Sequence, residues 1–300
     1  FQYSVINGSN KVANLFLACG VDPNKHDNNY FPAILCAIYK GNFSLVENLI
    51  LYNANIYELD ECGNNGLMIA CMIHNPRIVI YLLDQFKFNI NARNFDGTTA
   101  LMHAVSLCNN KVIDILLQHG AISDLSDNCG TQTVSHMAYF RCTKNECLRR
   151  LNECVELLTK SCPIILHKKN ECGENCASFA CTNNNATIFE YFITLGVELV
   201  SNNDGYNPIH VASQNGYINM LHIIPMPKYK TLINHQNTYG HTPLMLASFG
   251  GHYSTVIFLL QNGADLSVTD NNGNTALHYA TKQNYIEIVE ELCANGGDPT

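Results

Sequence analysis

Residues 240–247 read GHTPLMLA, and 33 residues later residues 273–280 read GNTALHYA. Each copy is followed by a polar turn and a second apolar run: Val256, Ile257, Phe258, Leu259 and Leu260 after the first, Ile286, Ile288, Val289 and Leu292 after the second. The runs close on Asn262-Gly263-Ala264-Asp265 and Asn295-Gly296-Gly297-Asp298. A unit of this length cannot bury its own apolar face, so a chain built from it has to stack neighbour on neighbour. Length then counts repeats, not domains. The 300 residues, 47% hydrophobic, would fill two ordinary globular domains but here extend one continuous core.

Six more cores precede these two: YFPAILCA at 30–37, GNNGLMIA at 63–70, GTTALMHA at 97–104, TVSHMA at 133–138, GENCASFA at 173–180 and GYNPIHVA at 205–212. Residue type explains each part. Asp270-Asn271-Asn272-Gly273 is turn chemistry ending in a residue that tolerates positive φ. Thr242 or Thr275 can cap a helix, and Pro208 or Pro243 is acceptable where a first-turn NH has no partner anyway. Val112, Ile113, Ile115, Leu116 and Leu117 give the outer helix its apolar face, which stops at Gly120.

A period of 33 around a T-P-L-H-x-A core resembles the ankyrin repeat, and the resemblance runs along nearly the whole chain. It implies an all-α ankyrin-repeat solenoid of helix-turn-helix units with β-hairpin-like finger loops. Residues 1–300 are expected to form a single array, with a partial repeat over 1–26 lacking its first helix and then about eight repeats. Both ends fall mid-unit, as in a segment of a longer chain. The motif residues Ala37, Ala70, Ala104, Ala138, Ala180, Ala212, Ala247 and Ala280 should be buried where inner helices meet. His136, His210 and His278 occupy the motif His, whose side chain in the family bonds backbone between adjacent loops.

The fourteen cysteines follow the repeat phase: Cys62, Cys129 and Cys172 precede the turn Gly, and Cys71 and Cys181 follow the motif Ala. Such placement reads as unpaired packing thiols in a reducing compartment, cytoplasmic or nuclear. His167, Cys172, Cys176 and Cys181 lack zinc spacing. The sequence contains no phosphate loop, H-E-x-x-H, G-x-S-x-G or EF-hand pattern, so neither an enzyme nor a cofactor is expected. No apolar run reaches the roughly 18 residues that span a bilayer, and no membrane insertion is expected.

Two stretches depart from the period. Gly130 and Gly173 are 43 residues apart, and the extra length near 140–153 is expected between the paired helices. Arg141, Lys144, Arg149, Arg150, Lys160, Lys168 and Lys169 make this region locally basic within a chain of net charge −8, which suits either an anionic partner or solvated helix faces. The second stretch is MPKYKTLINHQNTYG at 226–240. It reads as an irregular finger with Lys228, Tyr229 and Lys230 at a basic, aromatic tip, or as a spacing adjustment between repeats.

By the family plan, finger tips and residues just after the motif Ala face a partner. Those positions hold Tyr30, Tyr39, Phe95, Tyr139, Phe140, Asn203, Tyr206, Gln214, Asn215, Tyr239, Phe249 and Asn271. The resemblance thus points to a non-catalytic protein–protein interaction scaffold that binds a protein through its concave face. An ankyrin arm of a larger enzyme, channel or effector and a structural part of a cytoskeletal or ciliary assembly are the alternatives. Nucleic acid is disfavoured because the chain lacks a continuous basic stripe.

Overall fold

The computed structural model describes residues 1–25, 31–140 and 146–298. The chain divides into two compact units, Phe1–Ile165 and Leu166–Thr300. Among the described residues both units are built from pairs of an inner and an outer helix, the outer one longer in every pair but Pro208–Asn215 with Ile218–Ile223, and there is no strand. The first unit pairs Gln2–Ile6 with Asn10–Ala18, Ala33–Tyr39 with Phe43–Leu51, Gly66–Met72 with Pro76–Gln85, Ala100–Ser106 with Asn110–Gln118, and Thr133–Tyr139 with Glu146–Ser161. The second pairs Cys176–Thr182 with Ala186–Thr194, Pro208–Asn215 with Ile218–Ile223, Pro243–Gly250 with Tyr253–Gln261, and Ala276–Lys282 with Ile286–Ala294. The hairpin character of the fingers is reduced to single antiparallel bridges, Leu59 with Asn65 and Ser126 with Gln132.

All eight motif alanines are fully buried, at 0% exposure. A larger side chain there would hold neighbouring inner helices apart. Around them pack Leu35, Leu49, Leu82, Leu116, Phe189, Phe192 and Leu259. Asparagine and threonine start the inner helices: Asn65, Thr99, Asn175 and Thr242 accept the amide three residues on, at 3.0–3.3 Å. Asn42, Asn75 and Asn185 do the same for outer helices. Met102 and Met245 take the motif-His position, and their sulfurs accept the amides of Thr99 and Thr242 at 3.4 Å.

The structure corrects the expected layout in two places. The leading repeat keeps its first helix, Gln2–Ile6, because Val5 and Ser4 still find a core to bury in. In the irregular fourth motif the added length goes largely into the outer helix, since Glu146–Ser161 has 16 residues where Tyr253–Gln261 has nine. Arg141 and Lys144 lie outside the described residues. The inner element of that repeat is a 3-10 helix, Thr133–Tyr139, whose first residue is preceded by Gln132 without a side-chain cap.

Candidate functional site

The fingers are built by one device. An Asp or Asn three residues before the turn Gly accepts the amides two and four residues on: Asp60 from Cys62 and Asn64, Asn94 from Asp96 and Thr98, Asp127 from Cys129 and Thr131, Asn237 from Tyr239 and His241, Asp270 from Asn272 and Asn274, all at 2.7–3.1 Å. Several fingers then bond their predecessors. The amides of Phe95, Asn128, Asn203 and Thr238 donate to the carbonyls of Cys62, Asp96, Cys172 and Asp204 at 2.8–3.0 Å. The fit is close: a Cβ on Gly63, at φ +79°, would lie 2.7 Å from the Phe95 ring.

In the second unit the finger bases and inner helices enclose a cleft of about 180 Å³, lined by Tyr206, Gln214, His241, Met245, Leu246, Phe249 and Tyr279. One wall is a polar chain. The Tyr279 hydroxyl donates to Asp270 Oδ2 at 2.6 Å and lies 3.0 Å from His241 Nε2. Burial pushes the Asp270 carboxyl up, but the Tyr279 hydroxyl and the Asn274 and Asn272 donors outweigh it and hold the group well below the usual carboxylate range. Burial, with the same bond, lifts Tyr279 to about 12. Phe249 packs edge-on to Tyr279 with centroids 5.9 Å apart, and Tyr239 stacks on His241 at 5.9 Å.

Several residues expected at a binding face are open: Tyr39 is 56% exposed, Phe95 69%, Tyr239 54% and Phe249 47%. Tyr206, Gln214 and Phe249 share the cleft, whereas Tyr39 and Phe95 belong to the first unit. Asn215 is exposed, and its amide donates to Val211 O at 2.9 Å. Asn203 and Asn271 are exposed too, yet their amides are spent on Glu171 O and Thr238 O of the preceding finger, so they hold the ladder. Tyr30 lies outside the described residues.

The expected basic, aromatic tip does not form. Met226–Tyr229 and Lys230–Leu232 are short helical turns following a shortened outer helix, and Tyr229 is buried at 7% exposure. Its hydroxyl donates to Glu198 Oε2 at 3.0 Å, and Lys228 Nζ meets Glu198 Oε1 at 2.9 Å. Pro225 ends the preceding helix, and the freed chain drops Tyr229 into the core that helix would have filled. Lys230 remains exposed. Phe140 is likewise buried, at 8%, under the Arg150 guanidinium.

Arg150 is committed as well, donating to the carbonyls of Leu107 (2.8 Å) and Cys108 (2.9 Å), while Arg149 pairs with Glu153 at 2.7 Å. Cys62, Cys129 and Cys172 are exposed at finger tips and are not the core packing thiols their repeat phase suggested. The twelve described cysteines are free thiols. Among the described residues no three His, Cys, Asp or Glu side chains gather as a metal would require.

The motif histidines diverge. His210 is fully buried, accepts the Asn207 amide at Nδ1 (3.3 Å) and lies 3.1 Å from His241 O of the next loop through Nε2, the bond between loops that the family plan implies. Burial lowers its pKa to about 4. His136 turns to Gln132 O of its own repeat and His278 to Thr275. His103, His241, Asp270 and Tyr279 were not singled out by the motif. His103 and Tyr279 share the position just before the motif Ala, and that register was the available signal.

A family model of ankyrin repeats, in three copies, matches residues 1–94, 34–128, 141–227 and 226–300. The chain belongs to the ankyrin-repeat family, whose repeats are protein-interaction modules and generally not enzymes. It is similar to the human transient receptor potential cation channel subfamily A member 1, with 26% identity over 78% of this chain and 20% of the channel subunit. It is similar as well to the target of rapamycin complex 2 subunit AVO2 of Saccharomyces cerevisiae (28%; 47% of this chain, 33% of that one). A putative ankyrin repeat protein of Acanthamoeba polyphaga mimivirus, L92, is 44% identical over 23% of this chain and 17% of its own. The chain thus spans between a sixth and a third of these relatives. Among the described residues no helix is long and apolar enough to cross a membrane.

Proposed function

We propose that the chain is a non-catalytic protein–protein interaction scaffold that docks its partner on the inner-helix and finger face of the second unit. The observation that carries this reading is the cleft between Tyr206, Met245, Phe249 and Tyr279, with Phe249 half exposed in its lining and Tyr239, half exposed, stacked on the lining residue His241. Aromatic side chains that are already packed lose little freedom on binding and often dominate an interface. The free thiols, five of them exposed (Cys19, Cys62, Cys129, Cys172 and Cys293), fit a reducing compartment, cytoplasmic or nuclear.

The test is a photo-crosslinking amino acid placed at position 249 or, as a control, at position 286 on an outer helix, followed by affinity measurement of the captured protein. Phe249→Ala and Tyr239→Ala are each expected to weaken it by about 2 kcal/mol, roughly thirtyfold. Equal loss with Glu290→Lys alone, both aromatic variants binding normally, would place the interface elsewhere.

A second reading is favoured by the relatives' lengths: an ankyrin arm that targets or regulates a larger enzyme, channel or effector. Sequencing the transcript on both sides of these 300 residues separates the two. A transmembrane or catalytic block in the same reading frame supports the arm.

A further inference from the structure

We propose that a second cleft, in the first unit, receives the arginine side chain of an extended segment of a protein partner. This site has about 390 Å³ between two consecutive repeats and is lined by Asp96, Met102, His103, Asp127, His136 and Tyr139, among others. It is independent of the aromatic cleft in the second unit, so either can fail alone.

The lining offers acceptors that the fold does not use up. Asp96 is exposed, and its carboxylate has no hydrogen-bond or ion-pair partner among the described residues. Asp127 spends Oδ1 on the amides of Cys129 and Thr131 and pairs Oδ2 with His136 Nε2 at 3.5 Å, so it adds negative charge beside Asp96 and not a free acceptor. His103 supplies the separate observation. Its Nε2 is buried without a hydrogen-bond partner among the described residues, a state that native proteins avoid unless something fills the place. Burial first, then the neighbouring His136, lowers the pKa of His103 to about 4, so the ring is neutral at pH 7 and able to accept.

A guanidinium is the complement of such a lining. It carries five donors and no acceptor, spreads them in a planar fork that spans several oxygens and a nitrogen, and remains charged at any physiological pH. Tyr139 stands at the rim, 49% exposed, with its ring edge-on to His136 at 5.9 Å. Arg93, beside the cleft, is already engaged: its guanidinium donates to Gly97 O at 3.2 Å and Ser126 O at 2.7 Å. Two carboxylates on the wall make an anionic ligand unfavourable. No carboxylate lines the cleft of the second unit directly, since Asp270 sits behind Tyr279 and is taken up by its hydroxyl, so this preference is local to the first unit.

The experiment uses the 300-residue chain and NMR titration with acetyl-arginine amide, its neutral isostere acetyl-citrulline amide and acetyl-glutamate amide, following the His103 ring resonances. Arginine amide should shift them saturably and bind at least tenfold more tightly than citrulline amide. Asp96→Asn should cost about tenfold. His103→Leu should reduce affinity, followed through the Tyr139 ring, while the chain melts no lower than the wild type. Asp204→Asn, in the second unit, should change nothing. Equal binding of arginine and citrulline amides, equal or tighter binding of the glutamate amide, or an Asp96→Asn variant of undiminished affinity would overturn the proposal.

Discussion

Each unit has a cleft at the same register of the repeat, where finger bases meet the ends of inner helices, and the two are lined by opposed chemistry. In the first unit Asp96, His103 and Asp127 make it polar and acidic; in the second Tyr206, Met245, Leu246, Phe249 and Tyr279 make it aromatic and apolar. The framework beneath is shared: buried motif alanines, an Asp or Asn opening each finger, and Thr99 and Thr242 as inner-helix caps backed by Met102 and Met245. Packing dictates where a cleft forms, and the positions packing leaves free decide what it holds. The residue before the motif Ala shows this most directly, being His103 in one cleft and Tyr279 in the other.

The largest contrast should come from two histidines that each bury Nε2 but engage it differently, His210 wholly buried and His103 half-buried. His210→Ala strands the Asn207 amide and the His241 carbonyl and leaves a cavity, so urea denaturation should show a loss of about 2–4 kcal/mol. His103→Leu removes a nitrogen that has no partner, and its effect should stay within about 1 kcal/mol of zero. Equal losses would mean that His103 is as structural as His210 and would erase the distinction between the clefts.

Acid sharpens the same pair. Both histidines have folded pKa values lowered to about 4, against roughly 6.5 when unfolded, so between those values the unfolded chain binds more protons. Stability is complete above about pH 6.5 and falls as pH drops toward 4, on the order of 2 kcal/mol for His210. A His103→Leu variant should show a shallower fall in the first unit, measured as urea midpoints across that range.

Asp270→Asn tests the polar wall of the second cleft. The carboxyl is depressed by bonds that win over burial, so it stabilises above the unfolded value of about 4 and that contribution disappears as pH falls through the folded value. At pH 7 the variant should lose about 1–2 kcal/mol, and the difference from wild type should narrow in stronger acid. Ultraviolet titration should find the Tyr279 phenol moved from about 12 toward the ordinary value. The smallest effects concern helix starts. Thr242→Ala should cost about 1 kcal/mol, whereas Gln132→Asp, adding a cap where none exists, should gain a few tenths and shift Thr133–Tyr139 toward α-helical circular dichroism.

Periodicity made the helical pairs and the buried alanines legible in the sequence, because those positions answer to packing alone. The placement of Tyr229 was not legible: whether an aromatic after Pro225 reaches solvent or core depends on how much helix the proline removes and on Glu198, 31 residues away in sequence. Arg149 and Arg150 read as open charge, yet one pairs along its helix and the other closes two carbonyls of the preceding repeat. The finger Asp and Asn residues looked like generic turn composition. Their acceptance of two amides each emerges only with the backbone geometry.

The described turns between inner and outer helix each hold one residue with a left-handed backbone. Gly41, Gly216 and Gly251 take it freely, Asn184 and Asn284 at little cost, but the adjacent repeats of the first unit use His74 at φ 56° and Cys108 at φ 46°. Each of these residues carries a penalty of roughly 1 kcal/mol that glycine would not. Local opening is therefore uneven along the array. In hydrogen-exchange experiments the amides around residues 74 and 108 should be among the first interior ones to trade protons with solvent, so the chain would begin to come apart from the middle of its first unit, at a seam written into two turn residues.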